Sequence, residues 1–500
     1  MIYSDPTDVV SSKFKIICLV DLADISETPY YLHRLLIRNF KDSYDHDERF
    51  VLFSGELPSD RLLQYIKNTC DACNISASFV LLICPYDLTQ GIDKVCCPDD
   101  KFDHVVANVN GNKLSQKYSV EDTICPLPWM HLAVGNQGDI RPCCINLQKI
   151  GSIIDDDPRE VLKRKSLSEL RQSLQNGSRH ESCSTCWKVE RSGGTSMRQT
   201  MLSWHQHKFF DRLIDAPALI SIDLKAGNTC NFKCRICSES ASSLIAAEKL
   251  RLATDSHSIG QVKLIQQQGR WFDLDLDQPK SKILSLLNDV EQIDFYGGEP
   301  FLIRGFERTI DYLIDSNREK HVRIHVNTNG SIFPNDALLK KLKKFQSIDI
   351  GLSIDDVGER FEVTRGGKWE EVFKNINSYQ QLVDEQFSIH IYITVSVLNV
   401  YYLNHIIDLA RNLGIKSLFN FVTRPEYLSI DYLTPEAKRL VLDKYQSHFD
   451  PVFQVIVNRI QNSVGCDGKH FVQETKKLDS NRSQDFRRTH REIANAMGYV

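Results

Sequence analysis

Three cysteines in eight residues, Cys230-Asn231-Phe232-Lys233-Cys234-Arg235-Ile236-Cys237, constrain this chain more than any other feature. Their C-x3-C-x2-C spacing lets one short loop wrap a corner of a cuboidal iron–sulfur cluster, for which thiolates are the required ligands. Three thiolates hold three irons of a [4Fe–4S] cube. The fourth iron is left without a protein ligand and can bind a small molecule. A zinc site or three buried cysteines are the alternatives. Zinc takes four ligands, often as two C-x2-C pairs, which suits a lone triple poorly.

Composition sets the surroundings of that loop. Five hundred residues predict about three domains. With 42% hydrophobic and 25% charged residues, the chain reads as an ordinary globular protein. A net charge of −4 gives no overall field toward nucleic acid or a membrane. The basic run from Lys476 to Arg491 also carries acids and is expected to be a solvated helix face. No apolar run is long enough to span a membrane. The start, MIYSDPTDVVSSKF, lacks the basic and apolar regions of a signal peptide. Fifteen cysteines without a secretion signal point to the cytoplasm and to metal sites in place of disulfides.

Residues 1–115 read as an N-terminal α/β domain. Strands at Lys15–Leu22, Phe50–Ser54 and Ser78–Cys84 alternate with helical runs at Tyr31–Phe40 and Asp60–Ile75, which predicts a small parallel sheet. Cys18, Cys70, Cys73 and Cys84 lie in apolar runs and are expected to fill the core. Cys70 and Cys73 have a metal-like spacing but no second pair nearby, and Cys96 and Cys97 have no assignable role. Docking or substrate recognition is the default role for this domain.

A second cysteine-rich stretch follows, in residues 116–205. It contains C-P-L-P-W-M-H-L (125–132), G-D-I-R-P-C-C (138–144) and C-S-T-C-W-K-V-E (183–190). Gly138 is expected to open a hairpin that returns Cys143 beside Cys125. Cys183 and Cys186 supply two more thiolates at a helix start. Ser166 is expected to cap an amphipathic helix over Ser166–Leu174. Four converging thiolates make a fully ligated site, with Cys144 a spare or a substitute. Structural zinc suits such a set as well as iron–sulfur does.

Residues 206–430 carry a repeating βα pattern. Strands are expected at Leu219–Leu224, Gln292–Tyr296, Val322–Asn327, Ile348–Ile354, Ser388–Ser396 and Ser417–Val422. Helices are expected at Phe306–Ser316, Asp336–Phe345, Glu371–Val383 and Tyr402–Leu413. Six such units predict a partial (β/α)6 TIM-like barrel with its helices outside. Chemistry in such barrels sits at the C-terminal strand ends. The cysteine loop, Gly297-Gly298-Glu299-Pro300, Asn327-Thr328-Asn329-Gly330 and Ser353-Ile354-Asp355-Asp356 all fall there. Residues 255–285 interrupt the pattern, and WFDLDLDQ (271–278) reads as an insertion with a solvated face. Residues 431–500 are expected to form helices that cover the open side or the mouth of the barrel. The fifteen histidines show no metal spacing, and none is assigned to catalysis.

The cysteine loop at the end of a strand resembles the signature of radical S-adenosylmethionine (radical SAM) enzymes. In that family the residue before the third cysteine is usually aromatic; here it is Ile236. The resemblance implies that Cys230, Cys234 and Cys237 hold a [4Fe–4S] cluster whose open iron binds SAM. It also implies that an electron splits the sulfonium to give a 5′-deoxyadenosyl radical. Gly297, Gly298, Glu299 and Pro300 match the family motif that meets the methionine ammonium. Asn327 and Thr328 are candidates for the SAM carboxylate, Ser353 and Asp355 for the ribose. The stretch from Cys125 to Arg198 resembles the SPASM/twitch segment of many such enzymes. Cys125, Cys143, Cys183 and Cys186 would then bind an auxiliary [4Fe–4S] cluster, although this segment more often follows the barrel. Enzymes with both segments often modify peptides or proteins, which is the first substrate class implied; a carbohydrate or nucleotide is the second. A reducing partner such as flavodoxin or ferredoxin is implied as well. The rival reading is a non-catalytic metal-binding interaction protein.

Overall fold

The computed structural model describes Ile16–Val20, Val51–Phe53, Phe79–Ile83 and residues 123–500 except 147, 192, 193 and 449. The chain divides into two compact units, Met1–Glu121 and Asp122–Val500. In the first, strands β1 (Ile16–Val20), β2 (Val51–Phe53) and β3 (Phe79–Ile83) pair in parallel in the order β2-β1-β3. Their unbroken apolar sequences, such as IICLV, suit a parallel strand covered on both faces. Cys18 stands opposite Leu52 and Leu81. The helices expected at Tyr31–Phe40 and Asp60–Ile75, and Cys70, Cys73, Cys84, Cys96 and Cys97, lie outside the described residues.

The second unit is built on one nine-stranded sheet. Its strands are β4 (His131–Val134), β5 (Asp139–Arg141), β6 (Gly151–Ser152), β7 (Ser221–Lys225), β8 (Gln292–Tyr296), β9 (Arg323–Thr328), β10 (Ser347–Ser353), β11 (Phe387–Val395) and β12 (Lys416–Phe421). The order is β12-β11-β10-β9-β8-β7-β4-β5-β6. All six expected barrel strands are present, adjacent and parallel. A seventh parallel strand was not foreseen: β4, from the second cysteine-rich stretch, pairs with β7 in the register Ala133–Asp223. β5 and β6 continue antiparallel beyond it. The hairpin that carries Cys143 is therefore hydrogen-bonded onto the barrel sheet.

The strands repeat one pattern: polar, isoleucine, acid or histidine, apolar, polar or glycine. It reads SIDLK (221–225), QIDFY (292–296), RIHVN (323–327), SIDIG (347–351) and SIHIY (388–392). With side chains alternating across a strand, the apolar set faces the helices and the polar set faces the barrel interior. Phe295 meets Phe306 of helix Arg304–Asp315 edge to face, with centroids 4.8 Å apart. Both are fully buried. Truncating either to alanine is expected to cost about 3–5 kcal/mol.

Three local expectations need correction. The helix expected from Ser166 spans Lys165–Gln175 with Arg164 at its N-cap and no side-chain cap. The Arg164 guanidinium instead binds the Ile150 carbonyl and Asp156. The acidic stretch 271–278 is not simply a solvated face. It forms helix Trp271–Leu276, with Trp271, Phe272 and Leu276 buried. There Asp275 accepts from Ser281, Lys282 and Ile283, and Asp277 pairs with Arg304 and Arg308. The basic run near the C-terminus is partly internal: Arg482 forms a buried ion pair with Glu248 at 2.7 Å. The tail is helical as expected, with its longest helix at Lys469–Arg482. No helix among the described residues is long and apolar enough to cross a membrane.

Candidate metal centres and the barrel rim

The cysteine loop leaves the C-terminal end of β7 and is held from both sides. On the barrel side, Gly298 N–H donates to the Gly227 carbonyl at 2.9 Å and Glu299 N–H to the Thr229 carbonyl at 2.7 Å. The approach is so close that a Cβ on Gly298 would sit 2.1 Å from the Thr229 oxygen. Gly297, at φ +93°, would place one 2.7 Å from the Gly227 oxygen. The two glycines thus admit the chain's own cysteine loop. On the outer side, Arg235 N–H donates to the Thr364 carbonyl at 2.8 Å, and its guanidinium binds Asp479 and Gln484. Arg482 donates to the Lys233 carbonyl at 2.7 Å. The C-terminal helices therefore clamp the loop.

Within the loop, the Cys234 and Cys237 thiols are hydrogen-bonded to each other, and each lies within electrostatic reach of Cys230. That bond, helped by the Arg365 charge, lowers Cys234 to about 7. The same bond pushes Cys237 up. Burial raises Cys230 to about 11 even though its sulfur accepts the Phe232 N–H at 3.4 Å. Arg365 is 7% exposed and paired to Asp355 at 2.5 Å. Its Nε is buried with no hydrogen-bond partner among the described residues. A buried donor beside three thiols lacks an acceptor, and a sulfur-rich anionic group held by those thiols would supply one. The residues present fit such a group.

A second thiol set forms where four segments meet. Cys143, which follows β5, is within electrostatic reach of Cys125, Cys186 and Cys183. Cys125 in turn senses Cys186, Cys183 and the Arg198 cation. Gly138, at φ +78°, makes the hairpin turn, and helix Ser184–Arg191 carries Cys186 just after the turn Glu181–Cys183. Burial pushes all four thiols up, Cys183 to about 11. Arg198, paired with Glu190 at 3.0 Å, is the buried counter-charge. Four thiols around one cation suit a polyanionic cluster. Among the described residues no three metal-binding side chains are drawn together tightly enough for a single ion. Cys144 turns away from this set and hydrogen-bonds Asp223 inside the barrel.

The rim residues expected to meet SAM are bonded to one another. Glu299 is fully buried and accepts from Thr328 Oγ1 at 2.8 Å, Asn329 N–H at 2.8 Å and Phe301 N–H at 3.2 Å. Burial raises it to about 7 against those bonds. Ser353 Oγ donates to Asn327 Oδ1 at 3.0 Å. Asp355 is taken up by Arg365 and the Thr394 N–H. Pro300, itself buried, begins a turn after Glu299.

Below the rim lies a row absent from the sequence expectations. Asp223, Asp294, His325 and Asp349 share one register across β7–β10. His325 and His390 donate to Asp349 at 2.7 and 2.6 Å. Against burial, these bonds hold Asp349 well below the usual carboxylate range. Burial and the neighbouring Asp223 charge raise Asp294 to about 7. The Tyr296 and Tyr392 rings flank His325, with centroids 5.6 and 5.7 Å away. The repeated strand pattern was the available signal for this row. Arg365, Asp479 and Arg482 carried no such signal, because the cysteine loop they face or hold lies more than a hundred residues away. Two large clefts lie away from the thiols' inner face. One, of about 780 Å³, is at the N-terminal strand ends and is lined by Arg159, Asp289, Arg318 and Lys320. The other, of about 640 Å³, is on the outer flank between Glu362 and Arg488.

Residues 224–421 match the radical SAM superfamily, and residues 125–187 match the SPASM iron–sulfur cluster-binding domain. The chain thus carries a radical SAM domain, with a SPASM domain ahead of it. Those domains imply SAM and iron–sulfur clusters as cofactors and an enzymatic activity. Among solved structures it is similar to native anSMEcpe with bound AdoMet and Cp18Cys peptide. The identity is 16% and the TM-score 0.30, covering 52% of this chain and 65% of that one. It is also similar to Streptococcus suis SuiB bound to precursor peptide SuiA, with 15% identity and TM-score 0.30. That match covers 62% of this chain and 67% of SuiB. The chain thus spans just under two thirds of anSMEcpe. No curated protein sequence matches it.

Proposed function

We propose that this protein cleaves SAM reductively at a [4Fe–4S] cluster held by Cys230, Cys234 and Cys237, and that it removes hydrogen from a peptide or protein substrate. The observation that carries this reading is the loop itself. It brings three thiols together at the C-terminal end of a parallel barrel strand, beside a buried cation with a free donor. When bound, the cluster and SAM supply a 5′-deoxyadenosyl radical. The chain's own residues position and enclose. Glu299, Thr328 and Asn329 knit the rim, Asn327 and Ser353 present polar groups above the barrel interior, and the C-terminal helices fix the loop. Cys125, Cys143, Cys183 and Cys186 would hold a second [4Fe–4S] cluster that passes an electron or anchors substrate. The SPASM domain supports a peptide or protein as substrate over a carbohydrate or nucleotide. A flavodoxin- or ferredoxin-type reductant and a cytoplasmic setting belong to the same proposal.

The test is anaerobic purification, iron and sulfide analysis, and addition of SAM with dithionite. Release of 5′-deoxyadenosine is expected. A colourless zinc protein that leaves SAM intact would return the chain to a structural metal-binding role.

A further inference from the structure

This inference rests on the reading that Cys230, Cys234 and Cys237 hold an iron–sulfur cluster. We propose that Arg365 sets the reduction potential of that cluster, its Nε–H donating to a sulfur of the cluster or of Cys234 while Asp355 holds the other edge of the guanidinium. Three arginines lie near the loop: Arg482 donates to the Lys233 carbonyl, and the other two are used differently. Arg235, inside the loop sequence, is turned outward to Asp479, Gln484 and the Val363 carbonyl. Arg365 comes from the end of helix Gly358–Arg365 and faces the thiols, within electrostatic reach of Cys234 and Cys237. Its Nη1 binds Asp355 at 2.5 Å, and Thr394 N–H binds the other Asp355 oxygen at 2.8 Å. The guanidinium is thus held at Nη1, and Nε is left without an acceptor among the described residues.

A one-electron reduction adds one negative charge to the cluster and moves no proton. A fixed cation and a hydrogen bond to sulfur stabilise the reduced form more than the oxidised form, which raises the potential. Asp355, bonded to the guanidinium and within electrostatic reach of Cys234, works in the opposite direction. Arg365 is accordingly a positioning and tuning residue, and its signature is a pair of shifts of opposite sign.

The experiment is an anaerobic, EPR-monitored redox titration of the reconstituted full chain, following the reduced-cluster signal that changes when SAM is added. Arg365→Gln is expected to lower the reduced-to-oxidised ratio at a fixed poise about tenfold, a shift of about 59 mV for one electron. Asp355→Asn is expected to shift it the other way, and Arg365→Lys to recover part of the loss. If Arg365→Gln fails to retain iron, the sign of the Asp355→Asn shift decides. Both variants unshifted, or both shifted the same way, overturns the assignment. An unchanged potential with weakened SAM binding also overturns it and places Arg365 on the SAM carboxylate. A wild-type protein with no SAM-sensitive iron–sulfur signal would instead bring down the underlying cluster reading.

Discussion

The two thiol sets are assembled in opposite ways. The loop set comes from eight consecutive residues and depends on distant parts of the chain to hold its shape: Asp479 and Arg482 lie more than two hundred residues away. The four-thiol set is scattered over sixty residues, yet its hairpin is hydrogen-bonded onto the barrel sheet through β4 and β7. Their electrostatics differ too. In the loop, one thiol is lowered to about 7 beside Arg365, and Cys237 is exposed. In the other set every thiol is raised by burial. An open, charge-assisted corner suits exchange with a small molecule; a closed, buried set suits a centre that only stores or passes charge.

Replacing one cysteine in each set separates these roles most sharply. Cys234→Ala is expected to abolish 5′-deoxyadenosine formation. The fall should exceed the roughly 10–100-fold typical of losing a supporting group near a metal. Iron at the four-thiol set should remain. Cys183→Ala is expected to remove about half the iron while substrate-free SAM cleavage stays within roughly tenfold, since the two sets share no thiol. Iron analysis with chromatography of the nucleoside product reads both. Equal losses of cleavage in the two variants would erase the distinction drawn between the sets.

A smaller effect tests the clamp on the loop. Asp479 accepts from Arg235, from Phe486 N–H at 2.9 Å and from Tyr499 Oη at 3.0 Å. Asp479→Ala leaves the Arg235 charge buried and unpaired. A cost of about 3–5 kcal/mol is expected in urea unfolding. Iron retained by the loop should fall while the four-thiol set keeps its own. Unaltered stability would mean that the C-terminal helices cover the loop without holding it.

What was legible in the sequence follows the same division. The loop, the six barrel strands and the rim motifs are local patterns, so spacing and periodicity exposed them. β4 was hidden because His131–Val134 is only four residues long and all buried, without the alternation that marks a strand. The direction of the Cys144 side chain was hidden for a related reason. Cys143 and Cys144 are neighbours, but only the folded hairpin sends one to the thiol set and the other to Asp223. Arg365 sits in an ordinary helix end, and its role depends on Asp355 and on a loop 130 residues earlier. The interior row was written openly in the repeated strand pattern. Metal spacing within a single segment does not reveal it, because its members are one per strand.

That row supplies the gentlest test, and it separates the barrel floor from both thiol sets. Asp294 is raised from 3.8 to about 7 by burial and by the charge of Asp223, to which it is hydrogen-bonded. A carboxyl whose pKa is higher in the folded than in the unfolded state holds its proton better when folded. Its stabilising effect is fully present below pH 4 and is lost as the pH rises to about 7. Asp294→Asn cannot ionise, and its amide can donate to Asp223 in place of the shared proton. The advantage of the variant over the wild type is therefore expected to grow by about 1–3 kcal/mol between pH 5 and pH 8, allowing for screening where the row opens to the barrel interior. Urea midpoints of the cluster-free protein at the two pH values measure the difference. A constant offset between the proteins at both pH values would show that Asp294 is ionised throughout, and that the floor of the barrel carries one more negative charge than its geometry implies.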